Sequence, residues 1–147
     1  MALAPQLFLW DNLSMNYKKV FSKYSSIISA YLFGSRARGN FSPISDYDFA
    51  IQLDEGKINK HKYVDLKLDL IGDLCKTLKT DNVDIVILNE APLLLKHRIL
   101  RDRKVLFCRS HLKRIRNEAR ILINYLDEKE YETAFAKGVF KSILEAA

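Results

Sequence analysis

The chain has 147 residues, 48% hydrophobic and 29% charged, with five glycines and three prolines, which is one globular domain's worth and argues against disorder or a fibrous repeat. Its 24 basic and 18 acidic residues leave a net charge of +6, much of it in residues 96–104 and 111–120. Such runs fit solvated helix faces or an anionic partner: nucleotide phosphates, RNA or an acidic protein surface.

MALAPQLFLWDNLS, at the start, lacks a basic leader and a small-residue cleavage site, and no later apolar run reaches bilayer length, so a cytoplasmic protein without membrane contact is expected. Leu13, Tyr17, Val20, Phe21, Tyr24 and Ile28 recur at helical spacing, with Asp11 or Asn12 available as a cap, and predict a first amphipathic helix. AYLF, residues 30–33, reads as a short buried strand running into GSRARG, where Gly34 and Gly39 permit backbone that a side chain forbids. In DYDFAIQL, residues 46–53, alternation puts Tyr47, Phe49, Ile51 and Leu53 on a core face, and Asp46, Asp48, Ala50 and Gln52 on an acid-bearing one.

A second helix is predicted over 61–79 through Tyr63, Leu66, Leu70, Leu74 and Leu78, then a strand at VDIVIL, residues 83–88. Pro92 opens a three-turn helix as its first residue, and KVLF, residues 104–107, is a last short strand. Leu112, Ile115, Ala119, Leu122 and Leu126 make one helical stripe and Tyr131, Phe135, Val139 and Ile143 another, with a break expected at DEKE, residues 127–130. Both read first as core. The second follows the charged break with little core left to cover, and is expected to dock on a partner or a second copy. Cys75 and Cys108 read as buried thiols in a reducing compartment, and His61, His97 and His111 stand too isolated for a zinc site. The whole is an α/β (α+β) domain: a small mixed sheet with helices packed on one face, a core over about 13–108 and a C-terminal helical extension over 109–147.

Asp46, Asp48 and Asp84 are the anomaly. Two carboxylates about 4 Å apart repel by about 4 kcal/mol at an effective dielectric near 20. Asp84 enters an otherwise apolar strand, so if the two strands are neighbours in register the three carboxylates converge and raise one another's pKa unless a cation intervenes. Mg²⁺ suits such oxygen ligands and leaves positions for substrate phosphates. The Gly34-Ser35 bend offers N–H groups and a hydroxyl to an anion, with Arg36 and Arg38 available for charge-assisted contacts.

Gly34-Ser35, ten residues, then Asp46-Tyr47-Asp48 resembles the motif of the polymerase-beta-like nucleotidyltransferase fold. The likeness spans about residues 13–108, and within the superfamily it is nearest to the minimal nucleotidyltransferases, the MntA-type antitoxins paired with HEPN ribonuclease toxins. The resemblance implies two Mg²⁺ ions, ATP as substrate, Asp46 and Asp48 bridging the metals, and Asp84 at the metal nearer the acceptor hydroxyl. It further implies terminal phosphates held at Gly34 and Ser35, assisted by Arg36 and Arg38. The acceptor would be a tyrosine of a HEPN toxin, with no nucleic-acid substrate, because the chain has no room for an acceptor domain of its own. Two other readings stand beside this one: a non-catalytic antitoxin acting by occlusion, and a small-molecule, antibiotic-type adenylyltransferase.

Overall fold

The computed structural model describes residues 15–146. Four strands, β1 (Ile27–Phe33), β2 (Tyr47–Leu53), β3 (Val83–Ile87) and β4 (Lys104–Cys108), form one sheet in the order β3-β2-β1-β4. β1 pairs antiparallel with β2 and β4, while β3 joins β2 in parallel, so the sheet is mixed, as expected. The helices are α1 (15–22 among the described residues), α2 (Gly34–Arg38), α3 (Tyr63–Leu78), α4 (Leu93–Asp102) and α5 (His111–Ala146).

One face of the sheet carries the main core. Phe49, Ile51 and Leu53 of β2 meet Ala30 and Leu32 of β1 and Ile85 and Ile87 of β3, beneath Tyr17, Val20 and Phe21 of α1 and Tyr63, Leu66, Leu70 and Leu74 of α3. The three- and four-residue spacing of those helical side chains makes one stripe per helix, and burying each stabilises by about 1.5–3 kcal/mol. β1 starts at Ile27, earlier than the alanine expected to open it, and takes in Ile28, which the periodicity had placed on the first helix. A register shift between Ile27 and Ser29 explains how odd-numbered Ile27 and even-numbered Ala30 share one core. The expected contributions of Asp11, Asn12 and Leu13 lie outside the described residues.

The opposite face is closed as well, by a smaller cluster of Tyr31, Ala50, Leu88 and Ile99. Helices on one face therefore describes α1 and α3, while α4 covers the other side. Ala50 is fully buried there, so acid holds only the N-terminal end of that face. Pro92 stands just outside α4 in extended backbone, as its cap rather than its first residue. Cys75 and Cys108 are free and half-buried rather than buried.

The C-terminal region departs furthest from expectation. α5 runs unbroken through Asp127–Glu130, because Asp, Glu and Lys on an exposed helix cost little propensity and no proline interrupts them. Glu118 anchors its first half: one carboxylate oxygen accepts from Tyr31 Oη (2.9 Å) and Arg114 Nη1 (3.1 Å), the other from Arg103 Nη2 (3.2 Å). Tyr125 stacks on His97 of α4 at 3.6 Å between centroids. Among the described residues of α5 only Ile121 is buried, and Leu112, Ile115, Leu122 and Leu126 are exposed along with Tyr131, Phe135, Val139 and Ile143. Neither stripe is core. No helix among the described residues is long and apolar enough to cross a membrane.

Candidate active site

β1 ends at Phe33 and turns at Gly34, whose φ of 74° lies where L side chains are strained, into the single turn of α2. Gly39, at φ 83°, closes that turn by donating its N–H to Ser35 O. Antiparallel pairing sets Phe33 opposite Asp48, and parallel pairing sets Asp48 opposite Asp84. The bend, Asp48 and Asp84 thus stand side by side across three strands, with Asp46 at the mouth of β2. Gly34 approaches so closely that a Cβ there would collide with Asp48 Oδ2.

Asp48 is half-buried, whereas Asp46 and Asp84 are exposed. Desolvation pushes the Asp48 carboxyl above the usual carboxylate range, the negative charges of Asp84 and Asp46 push it further, and Arg38 pulls it back. Asp84 Oδ1 accepts from the N–H of Ile85 at 2.9 Å and lies 4.0 Å from Lys67 Nζ. As the side chains stand, no three His, Cys, Asp or Glu among the described residues are gathered closely enough to hold an ion. Two observations still favour a divalent cation. The backbone already pairs Asp48 with Asp84, and the mutual repulsion at Asp48 is what a cation relieves.

The two arginines differ. Arg38 pairs with Asp102 at 2.9 Å, tying α2 to α4, and remains near enough to Asp48 to offset its charge. Arg36 is engaged by the loop before β2 instead of reaching the bend's open side. Its Nε and Nη2 donate to Ser45 O at 3.1 and 2.9 Å, and its guanidinium lies 3.7 Å from the Tyr47 ring centroid and 4.7 Å from that of Phe41. Sequence reasoning missed Asp102, because nothing in its own segment marks it as the partner of Arg38. The aromatic partners of Arg36 had a weak signal, two rings closely following an arginine-bearing turn. Ser35 lies half-buried in α2, beside Gly34.

Comparison with known proteins bears on the same residues. Residues 16–112 match the family described as polymerase beta, nucleotidyltransferase. Protein adenylyltransferase MntA of Aphanizomenon flos-aquae is 34% identical over 106 residues, covering 69% of this chain and 70% of that protein. Among solved structures, a toxin–antitoxin crystal structure with AMP-PNP superposes with a TM-score of 0.67 at 20% identity, over 86% of this chain and 98% of the other. The complex of a tri-AMPylated Shewanella oneidensis HEPN toxin with its MNT antitoxin gives a TM-score of 0.60 at 18% identity, over 87% and 98%. At such identities the structures speak for the fold alone.

Proposed function

The chain belongs to the polymerase-beta nucleotidyltransferase family, and on that premise we propose that it is an antitoxin that transfers AMP from ATP to a tyrosine hydroxyl of a HEPN ribonuclease toxin. The observation that carries the chemistry is the pairing of Asp48 with Asp84 beside the Gly34 bend. The 34% identical relative, itself a protein adenylyltransferase, supports a protein as acceptor.

Asp46, Asp48 and Asp84 would hold two Mg²⁺ ions, which when bound neutralise charge on the phosphates and on the attacking and leaving oxygens. Gly34 N–H and the Ser35 hydroxyl orient the terminal phosphates, and Arg38 adds a donor if it exchanges Asp102 for phosphate oxygen. Asp84, exposed at the edge of the site, takes the proton of the incoming tyrosine hydroxyl. The tyrosine oxygen bonds to the α-phosphorus as the bond to pyrophosphate breaks. Positioning and charge neutralisation supply most of the acceleration in such a transfer. The exposed apolar length of α5 accords with a protein that works inside a complex.

Incubation with labelled ATP, Mg²⁺ and its cognate HEPN toxin tests the reading. Label is expected on a toxin tyrosine, and is expected to vanish with Asp46→Ala and Asp48→Ala together. An unlabelled toxin, or transfer undiminished by the double substitution, defeats it.

A further inference from the structure

Asp46 is the first acid of the motif and the least supported by secondary structure, since it precedes β2 and follows an irregular, exposed loop. Its placement depends on the two peptide groups that bracket it. On its C-terminal side, Tyr47 N–H donates to Asn82 O at 2.8 Å, bolting that peptide to the chain entering β3. On its N-terminal side, the Ser45 carbonyl, bonded directly to the Asp46 nitrogen, accepts from two nitrogens of Arg36 at 3.1 and 2.9 Å. A further contact from Arg36 Nη2 to Pro43 O, at 3.4 Å, reaches the preceding turn.

That turn is itself closed. Ser45 N–H donates to Ser42 O at 3.0 Å and Ser42 N–H to Ser45 Oγ at 2.9 Å. Arg36 therefore holds a preformed unit, and its guanidinium is held in turn over the rings of Tyr47 and Phe41. Tyr47 stacks on Phe49, which is fully buried, so the chain of contacts runs from the core through two rings to the arginine and then to the peptide that starts Asp46. A planar fork between aromatic rings is a geometry that lysine does not reproduce.

We propose that Arg36 is a positioning residue for Asp46, setting the carboxylate where it can join Asp48 in holding a divalent cation, and is not a phosphate contact. The inference rests on the nucleotidyltransferase reading for its metal, yet concerns only this chain's own residues. Within the segment between α2 and β2, which forms neither helix nor strand, the side chain that grips the peptide leading into Asp46 is that of Arg36.

The test is Mn²⁺ binding by the intact protein in the presence of AMP-PNP, followed by electron paramagnetic resonance or calorimetry, beside AMP-PNP binding without metal. Arg36→Lys is expected to weaken Mn²⁺ binding by about tenfold or more, the usual cost of losing a partner behind a metal ligand, while metal-free AMP-PNP binding stays within about twofold. Phe41→Ala, which removes one ring and no hydrogen bond, is expected to shift Mn²⁺ binding in the same direction by less. Unchanged Mn²⁺ affinity in Arg36→Lys overturns the proposal, as does a loss confined to metal-free AMP-PNP binding. Should Arg36→Lys fail to fold, Phe41→Ala decides by the same criterion. A wild-type protein that binds Mn²⁺ and AMP-PNP but labels no toxin defeats the functional reading and leaves the role of Arg36 standing.

Discussion

Asp48 and Asp84 face each other as register partners on adjacent parallel strands, although a loop, a 3₁₀ turn and helix α3 separate them along the chain. No packing requirement explains a pair of acids at that level of the sheet, where the next partners, Phe49 with Ile85, are both fully buried and apolar. The arrangement opposes folding, and its consequences can be measured.

The first concerns charge. Asp48 is held above the ordinary carboxylate range by desolvation and by Asp84 and Asp46, so the folded state binds its proton more tightly than the unfolded chain does. Its ionisation therefore destabilises the metal-free fold as pH rises through the folded pKa, and the penalty is relieved on acidification. Asp48→Asn is expected to raise the melting temperature of the metal-free protein at neutral pH. The same variant is expected to transfer no AMP. Calorimetry without and with EDTA checks the first half, and toxin labelling the second.

Arg38 pulls the Asp48 carboxyl back down. Arg38→Met should therefore move the acidic limb of the transfer rate's pH profile to higher pH, since Asp48 then protonates earlier as pH falls. A profile unmoved by the substitution would mean that Arg38 acts on phosphates alone.

Gly34 combines positive φ with the approach of Asp48 Oδ2. Gly34→Ala is expected to destabilise by about 1–3 kcal/mol and to suppress transfer. Gly72, on the exposed face of α3 with nothing near its missing Cβ, provides the contrast. Gly72→Ala is expected to stabilise by about 0.4–1 kcal/mol. Urea denaturation of both variants is the measurement.

Glu118 serves Tyr31, Arg103 and Arg114 together. Burial already pushes the Tyr31 phenol up, so its hydroxyl stays protonated and needs an acceptor. Glu118→Ala would strand that hydroxyl and the Arg114 guanidinium, at about 1–3 kcal/mol, while Arg103 keeps its bond to Leu100 O. Hydrogen exchange should rise first along α5, beyond its junction with α4. Equal protection in variant and wild type would show that the remaining contacts, buried Ile121 and the stack of His97 on Tyr125 among them, hold the helix without Glu118.

Removing residues from 131 onward takes away side chains that, among the described residues, are all exposed. Thermal stability of the remainder is expected to change by less than about 0.5 kcal/mol, whereas co-purification with the toxin should be lost. Retained complex formation would move the docking surface elsewhere.

What the sequence determined by itself was local. Glycines at 34 and 39, alternation through residues 46–53 and the helical stripe from Tyr63 to Leu74 each report on neighbouring positions in the chain, so strand, bend, strand and helix could be read directly, and with them the acids of the motif. The tertiary structure decided what lies between distant segments: the register that sets Asp84 against Asp48, the capture of Arg36 by Ser45, Phe41 and Tyr47, and the pairing of Arg38 with Asp102. It also decided that α5 is one helix with its apolar side uncovered, since periodicity marks a stripe but is silent on whether anything packs against it. Periodic spacing follows from backbone geometry, which every segment carries in its own residues. Partners across the fold follow from which surfaces meet, and only the assembled sheet and helices settle that.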